Sequence, residues 1–359
     1  MSPSSFIPSE DAMIPHSRPW LDASDHEAIA LALSEDAIAQ GARVRAFETE
    51  VARYVGVSDG VAVASGTAAL LMALSALEIG SGDEVILPTY VCEAVLDAVL
   101  TCGATPVLAD VGPTWGLTVE SVSERVSSRT AAILVVHPFG IAMDTRSFAP
   151  FGVPIIEDAC QAFGARREGD IAGTTGTIGV FSFHATKCLT TGEGGMAVSR
   201  DPDLLDRMRR LREGHSSIRG KRIAAPLSDL QAALGLSQLE RYPAFLARRR
   251  ELADRYFQEL ADLPVRLPET VREHSMFFRF PLAVSENVDA LIREFQGHGV
   301  HVRRGVDALL HHKLGLSGVD FPQAERLYET TLSIPLYPAL SDDEQRSVVK
   351  ACRAVWRAS

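Results

Sequence analysis

Between Gly60 and about Val198, short apolar runs alternate with longer helix-like stretches, and few architectures accommodate that alternation. VAVA (61–64), EVIL (84–87), PVLA (106–109), AAILVV (131–136) and PIIE (154–157) read as buried strands. Segments 67–77 and 93–101 between them read as helices. Strands alternating with helices predict an α/β fold, with a mostly parallel central sheet sandwiched by helices. In such sheets ligands bind beyond the carboxyl ends of the strands.

The flanks have another character. Ser24, with Glu27 three residues later, predicts a capping box and a helix start. Residues 43–54 read as a second helix. After Arg200, residues 202–213 look helical and 228–260 form a long helical pattern, with a kink expected near Pro243. Strand-like 277–282, helix-like 288–296 and a final helix over 342–356 capped by Ser341 suggest a smaller α+β unit. The boundary is expected near residue 245. Residues 1–245 would then be the large domain and 246–359 a small C-terminal α+β domain.

Composition narrows the function. The chain has 359 residues, 46% of them hydrophobic, enough for a large core. Its formal net charge of −11 argues against nucleic acid and anionic membrane surfaces as partners. No apolar stretch approaches the roughly 18 residues that span a bilayer, and Met1–Glu10 lacks a signal-peptide layout. The five cysteines (92, 102, 160, 188 and 352) include no CxxC pair, so neither a disulfide framework nor a zinc site is expected. A reducing cytoplasm is the expected location.

Three places could carry chemistry. Ser65-Gly66-Thr67 follows a strand and opens a helix, which is the geometry of an anion cup. Asp158 ends the strand 154–157, where a carboxylate could pair with a protonated pyridine nitrogen, and Gln161 follows within reach of a ring oxygen. Lys187 closes Phe-Ser-Phe-His-Ala-Thr-Lys (181–187) among small and apolar neighbours, before the Gly-rich 192–195. An amine taken out of water is a good nucleophile toward a carbonyl. Alone, each has an ordinary reading as a helix cap, a loop acid or a surface lysine. Together, in this order, they are what a pyridoxal-phosphate (PLP) enzyme with an aspartate-aminotransferase-like large domain requires, the fold type I of PLP-dependent transferases.

The sequence resembles the DegT/DnrJ/EryC1/StrS family of PLP-dependent sugar aminotransferases over nearly its whole length. The resemblance rests on Arg18-Pro19, Gln40-Gly41, Phe47-Glu48, Ser-Gly-Thr-Ala-Ala-Leu (65–70) and Gly-Asp-Glu-Val-Ile-Leu-Pro (82–88). It continues through Glu-Asp-Ala-Cys-Gln-Ala (157–162), the segment ending in Lys187, Gly-Glu-Gly-Gly (192–195), Ser-Asp-Leu-Gln-Ala-Ala-Leu-Gly (228–235) and Leu-Ser-Ile-Pro-Leu-Tyr-Pro (332–338).

The resemblance implies that Lys187 is the Schiff-base lysine and proton carrier. It implies that Asp158 pairs with the ring nitrogen, that Gln161 approaches the ring oxygen, and that Ser182 with the amides of Gly66 and Thr67 holds the phosphate. It also implies a homodimer using L-glutamate or glutamine as amino donor and a keto-sugar, most often nucleotide-linked, as acceptor. A keto-cyclitol or free sugar is the alternative acceptor, and a non-catalytic regulator is an alternative of another class. Relatives that are sugar dehydratases carry histidine in place of the lysine, so Lys187 favours transamination.

Three departures from the family pattern stand out, one of them Cys160 and Cys188, which replace commoner small or amide residues beside the motifs and would act as small packing residues. Cys92 stands where an aromatic residue usually covers the ring; its sulfur or the ring of Tyr90 would serve instead, and register favours Cys92. Ala224 stands where an asparagine reaches the partner's phosphate, with Arg222 as a candidate replacement. His137 and His184 could touch substrate or could be structural. Arg303-Arg304 could bind a carboxylate or phosphate, although a solvated basic face is the plainer reading. The pair His311-His312 should diverge and not form a metal site.

Overall fold

In the computed structural model of the chain, residues 13–36, 38–215 and 223–357 are described. Helices α1 (Ala23–Ser34) and α2 (Ala42–Val55) precede the central sheet. The sheet contains β1 (Asp59–Val63), β2 (Glu84–Pro88), β3 (Thr105–Ala109), β4 (Thr130–Val136) and β5 (Ile155–Asp158). After a small hairpin, β6 (Arg166–Arg167) and β7 (Asp170–Ile171), β8 (Ile178–Ser182) and β9 (Gly195–Ser199) complete it. The order is β1-β9-β8-β5-β4-β2-β3. Only β9 runs against its neighbours. Helices α3 (Gly66–Ala76), α4 (Glu93–Cys102), α5 (Val119–Ser123) and α6 (Pro202–Arg212) follow strands.

The period-2 alternation of strand side chains explains why both faces are covered. Val61, Val63, Val85, Leu87 and Leu134 pack with α3, α4 and α6 in one apolar core. Ala62 and Met196 turn to a core shared with α2, while Ile86 and Ile133 turn to a smaller one. Helix α7 (Asp229–Glu259) is one element of 31 residues with Pro243 inside it. Its Ala232, Leu239, Tyr242 and Phe245 join the α2 core, and Leu252 to Leu260 join a further core.

That further core is built on a three-stranded antiparallel sheet, β10 (Phe280–Ala283), β12 (Thr331–Ile334) and β11 (Arg303–Arg304), where β11 precedes β12 in the chain. Helices α8 (Val288–Gly297) and α11 (Asp342–Arg357) cover it. Helices α9 (Leu310–Lys313) and α10 (Pro322–Thr330) behave differently: Leu310, Ala324 and Leu327 pack back onto the α3/α4 core. Among the described residues no helix is long and apolar enough to cross a membrane.

Two local expectations are corrected. Asp22, not Ser24, caps α1, and Asp25, not Glu27, completes the box. The strand expected from 277 begins at Phe280, because Phe277 sits at φ 55°, which a strand cannot contain. Gln40-Gly41 and Ser228-Asp229 are one feature. Asp229 accepts the N–H groups of Gly41 at 2.8 Å, Val44 at 2.9 Å and Arg43 at 3.2 Å, and so caps α2 from 188 residues away. A Cβ on Gly41 would lie 2.8 Å from that carboxylate.

Candidate active site

The candidate residues collect at one edge of the sheet because each follows the carboxyl end of a strand. Ser65 to Thr67 follow β1, Cys92 follows β2, Asp158 and Gln161 end or follow β5, and Ser182 to Lys187 end or follow β8.

The anion cup is set by close backbone packing. Ser65 caps α3 through Ala68 N–H at 3.1 Å, leaving Gly66 and Thr67 at the helix mouth. A Cβ on Gly66 would come within 2.9 Å of Ser182 Cβ and 3.1 Å of Cys160 Sγ, so Ser182 and the turn face each other across a gap only glycine permits. Gly195 lies beneath them, paired with both Val63 and Ser182. A Cβ there would stand 2.4 Å from Ser65 O and 2.7 Å from Gly66 N. Gly195→Ala should therefore displace the cup. We expect a loss of about 1–3 kcal/mol in stability, the usual cost of overpacking, together with weaker cofactor retention. Chemical denaturation and a cofactor titration check the two effects.

Glu157 and Asp158 are adjacent on β5 and so face opposite ways. Asp158 is buried, and its Oδ1 accepts Cys160 N–H at 3.0 Å. Glu157 faces away from the site into a knot of donors: His137 Nε2 at 2.9 Å, Thr145 Oγ1 at 2.9 Å, and the N–H groups of Gly173, Thr175 and Gly176. Met143 donates to His137 Nδ1 at 3.0 Å, so the ring proton is on Nε2 and points at Glu157. Both nitrogens of His137 are engaged and the ring is buried, which places it in the framework and not against substrate.

Burial would raise the Glu157 pKa. The hydrogen bond from His137, with the N–H donors of Gly176 and Gly173, outweighs it and holds the group at about 2. A carboxylate depressed from its ordinary 4.5 stabilises the fold fully above that value. The contribution disappears as pH falls from about 4.5 through about 2. Glu157→Gln should cost on the order of 3 kcal/mol at neutral pH and flatten the acid limb of a stability-against-pH curve.

Gln161 Oε1 accepts Phe139 N–H at 2.9 Å, which leaves the amide NH2 to donate. Phe139 itself holds φ 55°, a strained conformation for a bulky residue that no local pattern foreshadows. Cys92 is exposed at the start of α4. Tyr90 cannot replace it as a ring cover, because Tyr90 is buried against Gly305 and Thr331. Cys160 borders the cup, and Cys188 Sγ lies 3.9 Å from Met276 Sδ.

Lys187 is half-buried in a loop turned by its N–H donating to His184 O at 2.8 Å. Its Nζ stands 5.2 Å from the centre of the Phe278 ring, and among the described residues it has no ion-pair partner. His184 is held by Thr186, whose Oγ1 is 2.9 Å from Nδ1, with Nε2 3.5 Å from Glu193. Ala224 is exposed and bridges to Glu213. Arg222 lies outside the described residues. His311 and His312, expected to diverge, converge instead. Their Nε2 atoms lie 3.0 and 2.6 Å from one oxygen of Glu325, and Thr89 holds His311 Nδ1 at 2.7 Å.

A glycine-only anion cup, a buried strand-end carboxylate, a side-chain amide and a lysine without an ion-pair partner among the described residues fit the phosphate, ring nitrogen, ring oxygen and aldehyde of PLP. Residues 19–353 match the model of the DegT/DnrJ/EryC1/StrS aminotransferase family, and the chain belongs to that family. It is a PLP-dependent aminotransferase of the aspartate-aminotransferase-like fold.

A curated relative, dTDP-4-dehydro-2,3,6-trideoxy-D-glucose 4-aminotransferase of Saccharopolyspora spinosa, is 34% identical over 94% of this chain and 95% of its own. The crystal structure of the aminotransferase TlmJ from Streptoalloteichus hindustanus superposes with a TM-score of 0.89 at 33% identity, covering 95% of this chain and 98% of that one. The PLP form of Spr1654 from Streptococcus pneumoniae superposes with a TM-score of 0.90 at 25% identity, covering 96% and 98%.

Proposed function

We propose that this enzyme moves an amino group from L-glutamate or L-glutamine to a nucleotide-linked keto-sugar. The carrying observation is Lys187, which has no ion-pair partner among the described residues and lies on the loop after β8, the strand whose last residue, Ser182, faces Gly66 of the cup. When bound, PLP supplies an electron sink and a carrier for the amino group. Lys187 attaches the cofactor and moves the proton between the carbon and nitrogen of the reacting substrate. Asp158 keeps the ring nitrogen protonated, Gln161 donates to the ring oxygen, and Cys92 covers the ring. The Saccharopolyspora spinosa relative, named for a dTDP-linked keto-sugar, supports the same acceptor class here.

In this reading residues 1–245 hold the cofactor and residues 246–359 shape the substrate side. Leu21, Leu31, Leu33 and Ile38 are exposed on and beside α1, apolar side chains that a homodimer would cover in part. The cysteines, none in a disulfide, support a cytoplasmic location. The test is a panel of nucleotide-linked keto-sugars, keto-cyclitols and free keto-sugars offered to the glutamate-treated enzyme. Turnover confined to nucleotide-linked members supports the proposal, and turnover confined to a cyclitol or free sugar overturns it.

A further inference from the structure

None of His311, His312 and Glu325 lines the cleft at Lys187. Among the described residues they are the one group that brings three potential metal ligands together. The two Nε2 atoms and a carboxylate oxygen all lie within 4.8 Å of one another. Adjacent side chains on a regular helix diverge. Helix α9 is only four residues long, and its two imidazoles meet at the carboxylate that α10 presents. Their ring centres are 4.4 Å apart.

Each ligand is held by its own surroundings. His311 is fully buried, its ring stacked on Phe321 with centres 4.4 Å apart and planes 14° apart. Its Nδ1 lies 2.7 Å from Thr89 Oγ1. A contact of this kind behind a ligand histidine fixes its tautomer and its aim. Glu325 lies against the bare backbone of Gly318, where any Cβ would collide with its Oε1. Lys313 turns to Glu93 at 3.1 Å and leaves that carboxylate to the imidazoles. The His312 side chain is 47% exposed, so one side of the cluster opens to water.

Zinc binds imidazole nitrogen at about 2.0–2.1 Å and carboxylate oxygen at about 2.0–2.2 Å, so ligand atoms of a tetrahedral site stand about 3.3 Å apart. Here Glu325 Oε1 is 3.0 Å from His311 Nε2 and 2.6 Å from His312 Nε2. Admitting the ion widens each contact by less than about 1 Å, and the half-exposed His312 has room to give. Two nitrogens and one carboxylate oxygen suit zinc, whereas magnesium and calcium take oxygen ligands.

We propose that His311, His312 and Glu325 bind one zinc ion, with water as its fourth ligand, and that the ion fastens residues 310–325 to the end of β2. Without the ion, both Nε2 atoms donate to the carboxylate. With it, both ring protons stand on Nδ1, and that of His311 donates to Thr89 Oγ1, which has lone pairs for it and for His311 N–H. The fastening continues contacts already present. Leu310 N–H donates to Thr89 O at 3.0 Å, and Gln323 and Ala324 N–H each donate to Asp110 at 2.9 Å. Thr89 opens the segment that carries Cys92.

The probe is Zn²⁺ itself, added to chelator-treated, PLP-loaded enzyme and followed by calorimetry and thermal unfolding. The wild type should take up one ion per chain. It should melt roughly 3–8 °C higher once free Zn²⁺ exceeds its Kd a hundredfold. His312→Ala should weaken Zn²⁺ by more than the roughly 10–100-fold that even an outer-shell partner is worth. Its metal-free Tm should stay within about 2 °C of the wild type, because the side chain is half-exposed. Glu325→Gln should lose Zn²⁺ likewise, and Mg²⁺ should bind none of the three proteins. If Glu325→Gln does not fold, His312→Ala carries the test alone. Uptake undiminished in His312→Ala would place the zinc elsewhere, such as on the cysteine thiols, and overturn the proposal. No uptake by the wild type, or Mg²⁺ bound in preference to Zn²⁺, would overturn it too and leave a hydrogen-bonded triad.

Discussion

Lys187→Ala is expected to leave a folded protein that no longer transfers amino groups. The side chain is half-buried, with its ammonium against the Phe278 ring and no carboxylate to lose, so the change in stability should stay within about 0.5 kcal/mol. The chemical loss is of another order. Removing a positioned proton carrier costs on the order of 10²–10⁴-fold, and in the proposed reading Lys187 is in addition the covalent attachment point for the cofactor. Turnover with L-glutamate should fall beyond the upper end of that range. Lys187→Arg should do no better, because it restores the charge without an amine that condenses with an aldehyde. Steady-state rates and the visible absorbance of both variants measure this. Residual turnover within tenfold of the wild type would remove Lys187 from the chemistry.

Asp158→Asn should give the second-largest effect. The change keeps the size of the side chain and the acceptor for Cys160 N–H, so the end of β5 stays in place. What disappears is the negative charge that we propose pairs with the ring nitrogen. A charge-assisted hydrogen bond is worth roughly 1.5–3 kcal/mol, which predicts about 10–100-fold weaker PLP binding. Turnover at saturating PLP should also fall, because an unprotonated ring is a poorer electron sink. Titration of the apoenzyme with PLP separates the two losses. An effect on stability alone, with PLP affinity intact, would return Asp158 to a structural role. Glu157→Gln is the natural contrast: its donors lie on the other face of the sheet, so it should affect acid stability far more than PLP affinity.

The strands β1 to β5 were legible in the sequence because each is a short apolar run, and the first two are followed by clear helix patterns. The strand ends then placed Ser65, Asp158 and Lys187 on one edge. Direction was harder to read. Glu157 and Asp158 share a strand end, and only the pleat and the donors from 173–176 decide which of them faces the cleft. His137 also lies at a strand end, but Met143 and Glu157 turn it inward through contacts that no local pattern encodes. Asp229 caps a helix that begins 187 residues earlier, so spacing alone could not connect the two motifs. Arg279, a residue of the Lys187 cleft with no ion-pair partner among the described residues, left no trace at all. It stands among aromatic residues in a stretch that reads as strand, whereas the more conspicuous Arg303 and Arg304 pair with Asp307 and Asp289. An unmatched charge is a property of the folded neighbourhood, not of a sequence window.

The most direct measurement of the central claim is the ultraviolet–visible spectrum of the purified enzyme, before and after excess L-glutamate. The structure predicts a yellow band from PLP held at Lys187, lost on adding the donor and restored by an acceptor keto-sugar. A protein that stays colourless after PLP is added, or whose band no amino donor alters, would contradict a transamination site built on Lys187.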